Sequence, residues 1–211
     1  MTPIFSDKST SAIRFDRVCA TCKDVIAQLA KNRKLEFPIR LDWLTETVSA
    51  RLATATGNFP IELLAKDWGA EQFTGFLSRY HDHAKIIYSY VPGPNPKTNT
   101  CWRRYVITKE LAHLVLDTTD SFTTDPVGLV EGLINDLPNI RNRADLLSEQ
   151  VSPLAAIELL LPWSLRHQVY EMAKTMSHRK IAESCRVPEK IVSTVLSSEY
   201  RAFSEFANMA H

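Results

Sequence analysis

Apolar residues recur at helical spacing over most of the chain and at strand spacing in one clear place. Between Ser11 and Arg33, Val18, Cys22, Val25, Ile26 and Leu29 return every three or four residues, with serine and threonine ahead of them, which predicts a helix over 11–33. Pro38 breaks the LEFPIR connection, and Leu41, Leu44, Val48 and Leu52 predict a second helix, Leu41 to Ala55, ending at Gly57. Pro60 opens a third at a position where its missing N–H is tolerated, running through Ile61, Leu64 and Trp68. Gly69 interrupts it, and Phe73, Phe76 and Leu77 resume the helical period.

The segment HAKIIYSYV is β-branched and aromatic and is bounded by the proline-rich PGPNPKTNT loop, so it predicts a strand. A helix follows from Trp102 to Asp117, then the turn-rich DTTDSFTTDP. GLVEGLIND predicts a short helix stopped by Pro138, and the charged stretch Arg141 to Gln150 leads into another apolar run. From Pro162 onward the pattern is helical throughout. The expected fold class is α+β, predominantly helical with a small sheet, organised as residues 1–162 followed by a C-terminal helical segment, 163–211.

Composition changes this picture little. Apolar residues at 45% and charged residues at 23% are ordinary for a soluble globular protein, and a net charge of +1 neither favours nor excludes nucleic acid. Apolar runs such as Ala155 to Leu161 are too short to span a bilayer, and MTPIFSDKST lacks an apolar signal core, so a cytoplasmic protein without a membrane partner is expected. Four cysteines do not make a disulfide scaffold. Cys19 and Cys22 form a CxxC, but they fall on the face of Val18, Val25, Ile26 and Leu29 and read as small buried thiols on a helix. His81 and His83, just before the strand, read as solvent-facing loop residues.

The candidate chemistry lies in the helix WRRYVITKELAHLVLD, Trp102 to Asp117. In an HExxH helix, histidines one turn apart hold zinc and the glutamate after the first acts as general base. Glu110 and His113 occupy the base and second-ligand positions, while Lys109 stands at the first ligand position. Positions 109, 113 and 117 form one column on the helix, reading Lys–His–Asp. A Lys109 ammonium there stands in for a metal's charge and calls for an acidic partner, Glu149 or Asp117, since an unpaired buried cation costs on the order of several kcal/mol. The alternative is a rebuilt metal site of His113, Asp117 and an acid such as Asp145 or Glu149, a ligand set that suits zinc.

RRYVITKELAHLVLD resembles the RFTLAHELGHLLLH core of the ImmA/IrrE family of metallopeptidases, with Arg104, Tyr105, Thr108, Glu110, Leu111, His113, Leu114 and Leu116 at matching or similar positions. A second block, EQVSPLAAIELLLP (Glu149 to Pro162), resembles the family's EREANRFAAELLMP, with Ala156, Leu159, Leu160 and Pro162 aligned. The resemblance implies a zincin-like core and places the third zinc ligand at Val151, so two of three ligand positions, Lys109 and Val151, are degenerate. It further implies a regulator whose partner is a transcriptional repressor of the kind carried by phages or mobile elements. With the ligands lost no cofactor is expected; with a rebuilt site the cofactor is zinc and Glu110 is catalytic. Tyr88 to Val91 is the stretch that would lie beside such a cleft as an edge strand, or belong to any small mixed sheet.

Residues His178 to Leu196 resemble a helix-turn-helix, a segment the family also carries after its second block. Ile181 and Ala182 mark the first helix, Cys185, Arg186 and Val187 the turn, and Ile191, Val192, Val195 and Leu196 the second helix. Arg186 stands where a glycine is usual. Arg179, Lys180, Glu189, Lys190, Ser193 and Thr194 are the candidate contacts to DNA or to a protein partner. Ser164 to Arg201 carries seven Lys or Arg against four Asp or Glu, a surplus too small to require phosphate binding.

Overall fold

The computed structural model describes residues 8–31, 33–53, 57–67, 75–89, 96–116 and 143–209, leaving aside the side chains of 8–16, 96–98, 143–150 and 208–209. The expected GLVEGLIND helix, the DTTDSFTTDP turns, Trp68, Gly69, Phe73, Val91 and Asp117 lie outside the described residues. Those residues form eight helices and three strands: α1 Lys8–Ala30, α2 Leu41–Leu52, β1 Ile61–Lys66, β2 Gly75–Arg79, β3 Ala84–Ser89, α3 Pro96–Leu116, α4 Arg143–Leu160, α5 Trp163–Ala173, α6 His178–Cys185, α7 Glu189–Leu196 and α8 Ser198–Met209. The protein is therefore mostly helical with a small sheet. Among the described residues no helix is long and apolar enough to cross a membrane.

The helix predicted from Pro60 through Ile61 and Leu64 is instead the strand β1, and the resumed helical period at Phe76 and Leu77 is the strand β2. Both segments also carry a two-residue alternation. Ile61, Leu63 and Leu77 pack on the core, while Phe76 is 50% exposed. Pairing with β3 selects the extended form: β1 runs parallel to it in the register Ile61↔Ala84 to Lys66↔Ser89. β2 runs antiparallel, from Gly75↔Tyr88 to Arg79↔Ala84. The hairpin between β2 and β3 closes with the Tyr80 N–H donating to the His83 carbonyl at 2.8 Å. Across β1 and β3, Glu62 and Lys85 pair at 3.3 Å.

The strand order is β1-β3-β2, so the predicted strand is the central one. Tyr88 and Ser89 therefore lie inside the sheet, and the edge-strand reading of this stretch is replaced by the mixed-sheet one.

Two apolar clusters share α1 and α4. In the first, Val18, Cys22, Val25 and Leu29 of α1 and Ala155 and Leu159 of α4 meet α2, the sheet and α3 through Leu44, Val48, Ile86 and Leu111. The second takes Cys19 of α1 and Ile157, Leu160 and Leu161 of α4 against Val169, Ile181, Cys185, Val192 and Val195 of the C-terminal helices. Helix α4 is apolar on opposite sides because it is buried on both. Cys19 and Cys22 are both buried, yet they serve different clusters rather than one face. The Cys22 thiol donates to the Ala155 carbonyl at 3.7 Å, and burial, with the Glu158 charge adding, pushes its pKa well up.

Candidate functional site

Helix α3 begins at Pro96, earlier than its apolar period suggests, because proline is tolerated in a first turn. From Val106 to Leu114 every residue except Lys109 is buried, Thr108, Glu110 and His113 among them. Thr108 satisfies its hydroxyl locally by donating to the Arg104 carbonyl at 2.9 Å.

Strand β2 crosses α3 over Glu110. A β-carbon built on Gly75 would lie 2.5 Å from Val106 Cγ1 and 3.0 Å from both Cγ and Oε1 of Glu110. Only a residue without a side chain lets the strand close this far. The Glu110 side chain keeps 5% of its exposure, and the Lys109 ammonium reaches it at 3.3 Å, with 23% of its own side chain exposed. Lys109 also acts on Tyr105, one turn back: burial pushes the Tyr105 phenol up, and the Lys109 charge opposes that rise. Among the described side chains, an acidic partner of Lys109 is its neighbour Glu110. Of the partners expected from sequence, Asp117 lies outside the described residues and the side chain of Glu149 is among those left aside, as is that of Asp145.

His113 follows one turn after Lys109 with its Nε2 buried. Val151, at the third ligand position, is half-buried and packs against the first apolar cluster. The set Lys109, His113 and Val151 offers one imidazole, one ammonium already committed to a carboxylate, and one hydrocarbon. That donor set does not fit zinc. Among the described residues no three His, Cys, Asp or Glu side chains are grouped to hold a metal ion.

His81 is exposed as expected, but His83 is not a free loop residue. It is half-buried, stacks on Tyr80 with ring centroids 4.2 Å apart, and its Nδ1 lies 2.7 Å from Asp82 Oδ1.

The turn between α6 and α7 is a Schellman closure. The Val187 N–H donates to the Ala182 carbonyl at 3.0 Å and the Arg186 N–H to the Glu183 carbonyl at 3.3 Å. Arg186 adopts φ 52° and ψ 48°, the left-handed conformation that explains the usual glycine there. Its carbonyl accepts from Arg104 Nε of α3 at 3.1 Å, which ties the turn to the helix of the candidate site. Ser177 caps α6, its hydroxyl accepting from the Lys180 N–H at 3.4 Å.

Arg179, Lys180, Glu189, Lys190 and Ser193 are exposed on these two helices, and Thr194 is half-buried. Ser193 and Thr194 donate back to the carbonyls of Glu189 and Lys190, and Ser193 also meets His178 Nδ1 at 3.0 Å. Arg179 Nε lies 3.5 Å from Glu183 Oε1.

Sequence reasoning missed a buried polar network joining α4, α5 and α8. Glu158 and Arg166 pair at 2.9 Å with 4% and 1% of their side chains exposed. Tyr200 donates to Glu158 Oε1 at 2.7 Å, and Arg166 donates to Ser204 Oγ at 2.6 Å and to the Leu161 carbonyl. Burial, with the adjoining Glu158 charge, pushes the Tyr200 phenol well up. The available signal was Glu158 itself, a single charge inside AAIELLL. Comparison with known protein families, curated proteins and solved structures finds no match to this chain.

Proposed function

We propose that the chain is a non-catalytic, metallopeptidase-like regulatory protein in which an internal cation replaces the metal, and that it binds a protein partner such as a transcriptional repressor. The observation that carries this reading is the Lys109–Glu110 ion pair at 3.3 Å, closed over by β2 at Gly75. A general base needs a water to deprotonate, and here the candidate base is buried against a strand and paired with an ammonium. Val151 in the apolar cluster supports the same view. The zincin-like ancestry and the repressor as partner rest on the resemblance of KELAH and of Glu149 to Pro162 to the ImmA/IrrE blocks. Elemental analysis of protein purified in metal-free buffer tests the reading: it predicts no bound zinc, and stoichiometric zinc that survives dialysis overturns it. Incubation with a candidate repressor is expected to give a complex with the repressor intact. Cleavage that Glu110→Gln abolishes would mean an active peptidase with rearranged ligands instead.

A second reading is DNA binding through α6 and α7. It is supported by the left-handed turn at Arg186 joining two short helices, with Arg179, Lys180 and Lys190 exposed. Against it stand the acids Glu183 and Glu189 on the same surface. Duplex binding that weakens steeply with salt and is lost in the triple variant Arg179→Ala, Lys180→Ala, Lys190→Ala is what this reading requires.

A further inference from the structure

We propose that the cavity between the α1–α2 connection and the turn after α6 binds a small organic anion, a carboxylate or phosphate ester carried on an apolar body. The cavity measures about 220 Å³; Leu35, Phe37 and Trp43 contribute apolar wall, Lys34, Arg40 and Arg186 contribute three cations, and Glu36 one anion. That volume is below the roughly 300–1,000 Å³ usual for drug-sized ligands and suits a fragment.

The charge balance names the sign of the ligand. Lys34 has Glu36 at 3.9 Å, and Arg40 has Asp42, its Nε lying 3.2 Å from Oδ1. Arg186 and, behind it, Arg104 remain. Arg104 is buried and spends its donors on two main-chain carbonyls, those of Ile39 and Arg186, which are dipoles rather than countercharges. Burial pulls the Arg104 guanidinium down and the neighbouring Arg186 cation pulls it further, while the Asp42 charge opposes the shift without forming an ion pair. Among the described residues, neither arginine forms an ion pair with a carboxylate. Arg186 thus stands at the rim of the pocket with Arg104 buried behind its turn, and a carboxylate or phosphate there would supply a countercharge and take the guanidinium's paired donors. The ligand would bridge the α1–α2 connection and the helix-turn-helix turn, so occupancy would strengthen the hold of α6 and α7 on the body. This inference does not depend on the reading of the Lys109 site.

The test is a calorimetric titration of the full chain with phenyl phosphate and with octanoate, beside phenol and inorganic phosphate. Saturable one-to-one binding is expected for at least one of the two amphipathic anions, and which one binds separates the phosphate ester from the carboxylate. Phenol and inorganic phosphate are expected to bind at least about tenfold more weakly, each lacking half of the recognition. Arg186→Gly, which the left-handed turn accommodates, is expected to weaken binding about tenfold, and Arg186→Lys, which keeps the charge but not the paired donors, to weaken it by less than Arg186→Gly does. The control Lys174→Gln, an exposed residue outside the pocket lining, is expected to leave affinity unchanged. Absence of binding by both anions, unchanged affinity in Arg186→Gly, or an equal loss in Lys174→Gln would overturn the proposal.

Discussion

Gly75 lies directly over Glu110: a β-carbon at 75 would sit 3.0 Å from Glu110 Oε1 and 2.5 Å from Val106 Cγ1. Through this contact an edge strand of a three-stranded sheet seals the carboxylate of the candidate site, and the Lys109 ammonium lies 3.3 Å from it. Gly75→Ala is expected to destabilise the fold by about 1–3 kcal/mol, because Val106 is β-branched on a helix and cannot rotate away cheaply. Val106→Ala in the same chain is expected to recover part of that loss. Urea denaturation of the two singles and the double checks it, and additive losses would mean that the contact is not the cause.

The Lys109–Glu110 pair is expected to behave as a half-buried ion pair. Lys109→Met leaves a carboxylate with 5% side-chain exposure short of its countercharge and is expected to cost about 1–3 kcal/mol, less than a fully buried pair because Lys109 is 23% exposed. Lys109→Met combined with Glu110→Gln is expected to be more stable than Lys109→Met alone. A double-mutant cycle by chemical denaturation reads the coupling directly.

The network of Glu158, Arg166 and Tyr200 makes an alkaline prediction. The Tyr200 phenol is raised, first by burial and then by the Glu158 charge, so the folded protein holds this proton above the unfolded value of about 10. Its contribution is fully present below about pH 10 and is lost as pH rises toward the folded value. Tyr200→Phe is expected to lose about 1.5–3 kcal/mol at pH 7, for a hydrogen bond to a charged group, and to show a shallower fall in stability above pH 10 than wild type. Parallel pH–stability curves for the two proteins would contradict this.

Arg186 supplies the clearest backbone prediction. At φ 52° it occupies a conformation that glycine adopts freely. Arg186→Gly is expected to leave stability unchanged or raise it by about 1 kcal/mol, whereas Arg186→Val is expected to lower it by about 1–3 kcal/mol. Thermal unfolding of the two variants distinguishes a left-handed turn from a helical one, in which the glycine would be the more damaging change.

These residues also show what is legible in the chain. The helices α1 and α2 and the pair α6–α7 carry apolar residues at a helical period, α3 is marked by its KELAH motif, and Arg186 sits at the turn position that the pattern marks. β1 and β2 are not legible in the same way, because Ile61 and Leu64, or Phe76 and Leu77, satisfy the helical period as well as the strand. The deciding term is pairing with β3, which comes from elsewhere in the chain. The one-turn spacing of Lys109 and His113 is legible too, but the partner of Lys109 is not. It depends on β2 lying over Glu110, and so on a glycine whose role appears only once the sheet is assembled. Glu158 shows the same limit: the lone charge in an apolar run announces a buried partner, and only the fold brings Arg166 and Tyr200 to it.

The central claim is that the Lys109 site holds an internal cation in place of a metal, and a zinc titration against a competing chelator tests it most directly. The four proteins are wild type, Lys109→His, Val151→Glu and the double variant. The wild type and both singles are expected to bind zinc only weakly, since each offers at most two of the three ligands, and the double variant is expected to bind tightly. Weak and equal affinity in all four would sink the alignment of Val151 with a ligand position. Tight zinc binding by the wild type would contradict the claim itself and would point to a site rebuilt from His113, Asp117 and Glu149.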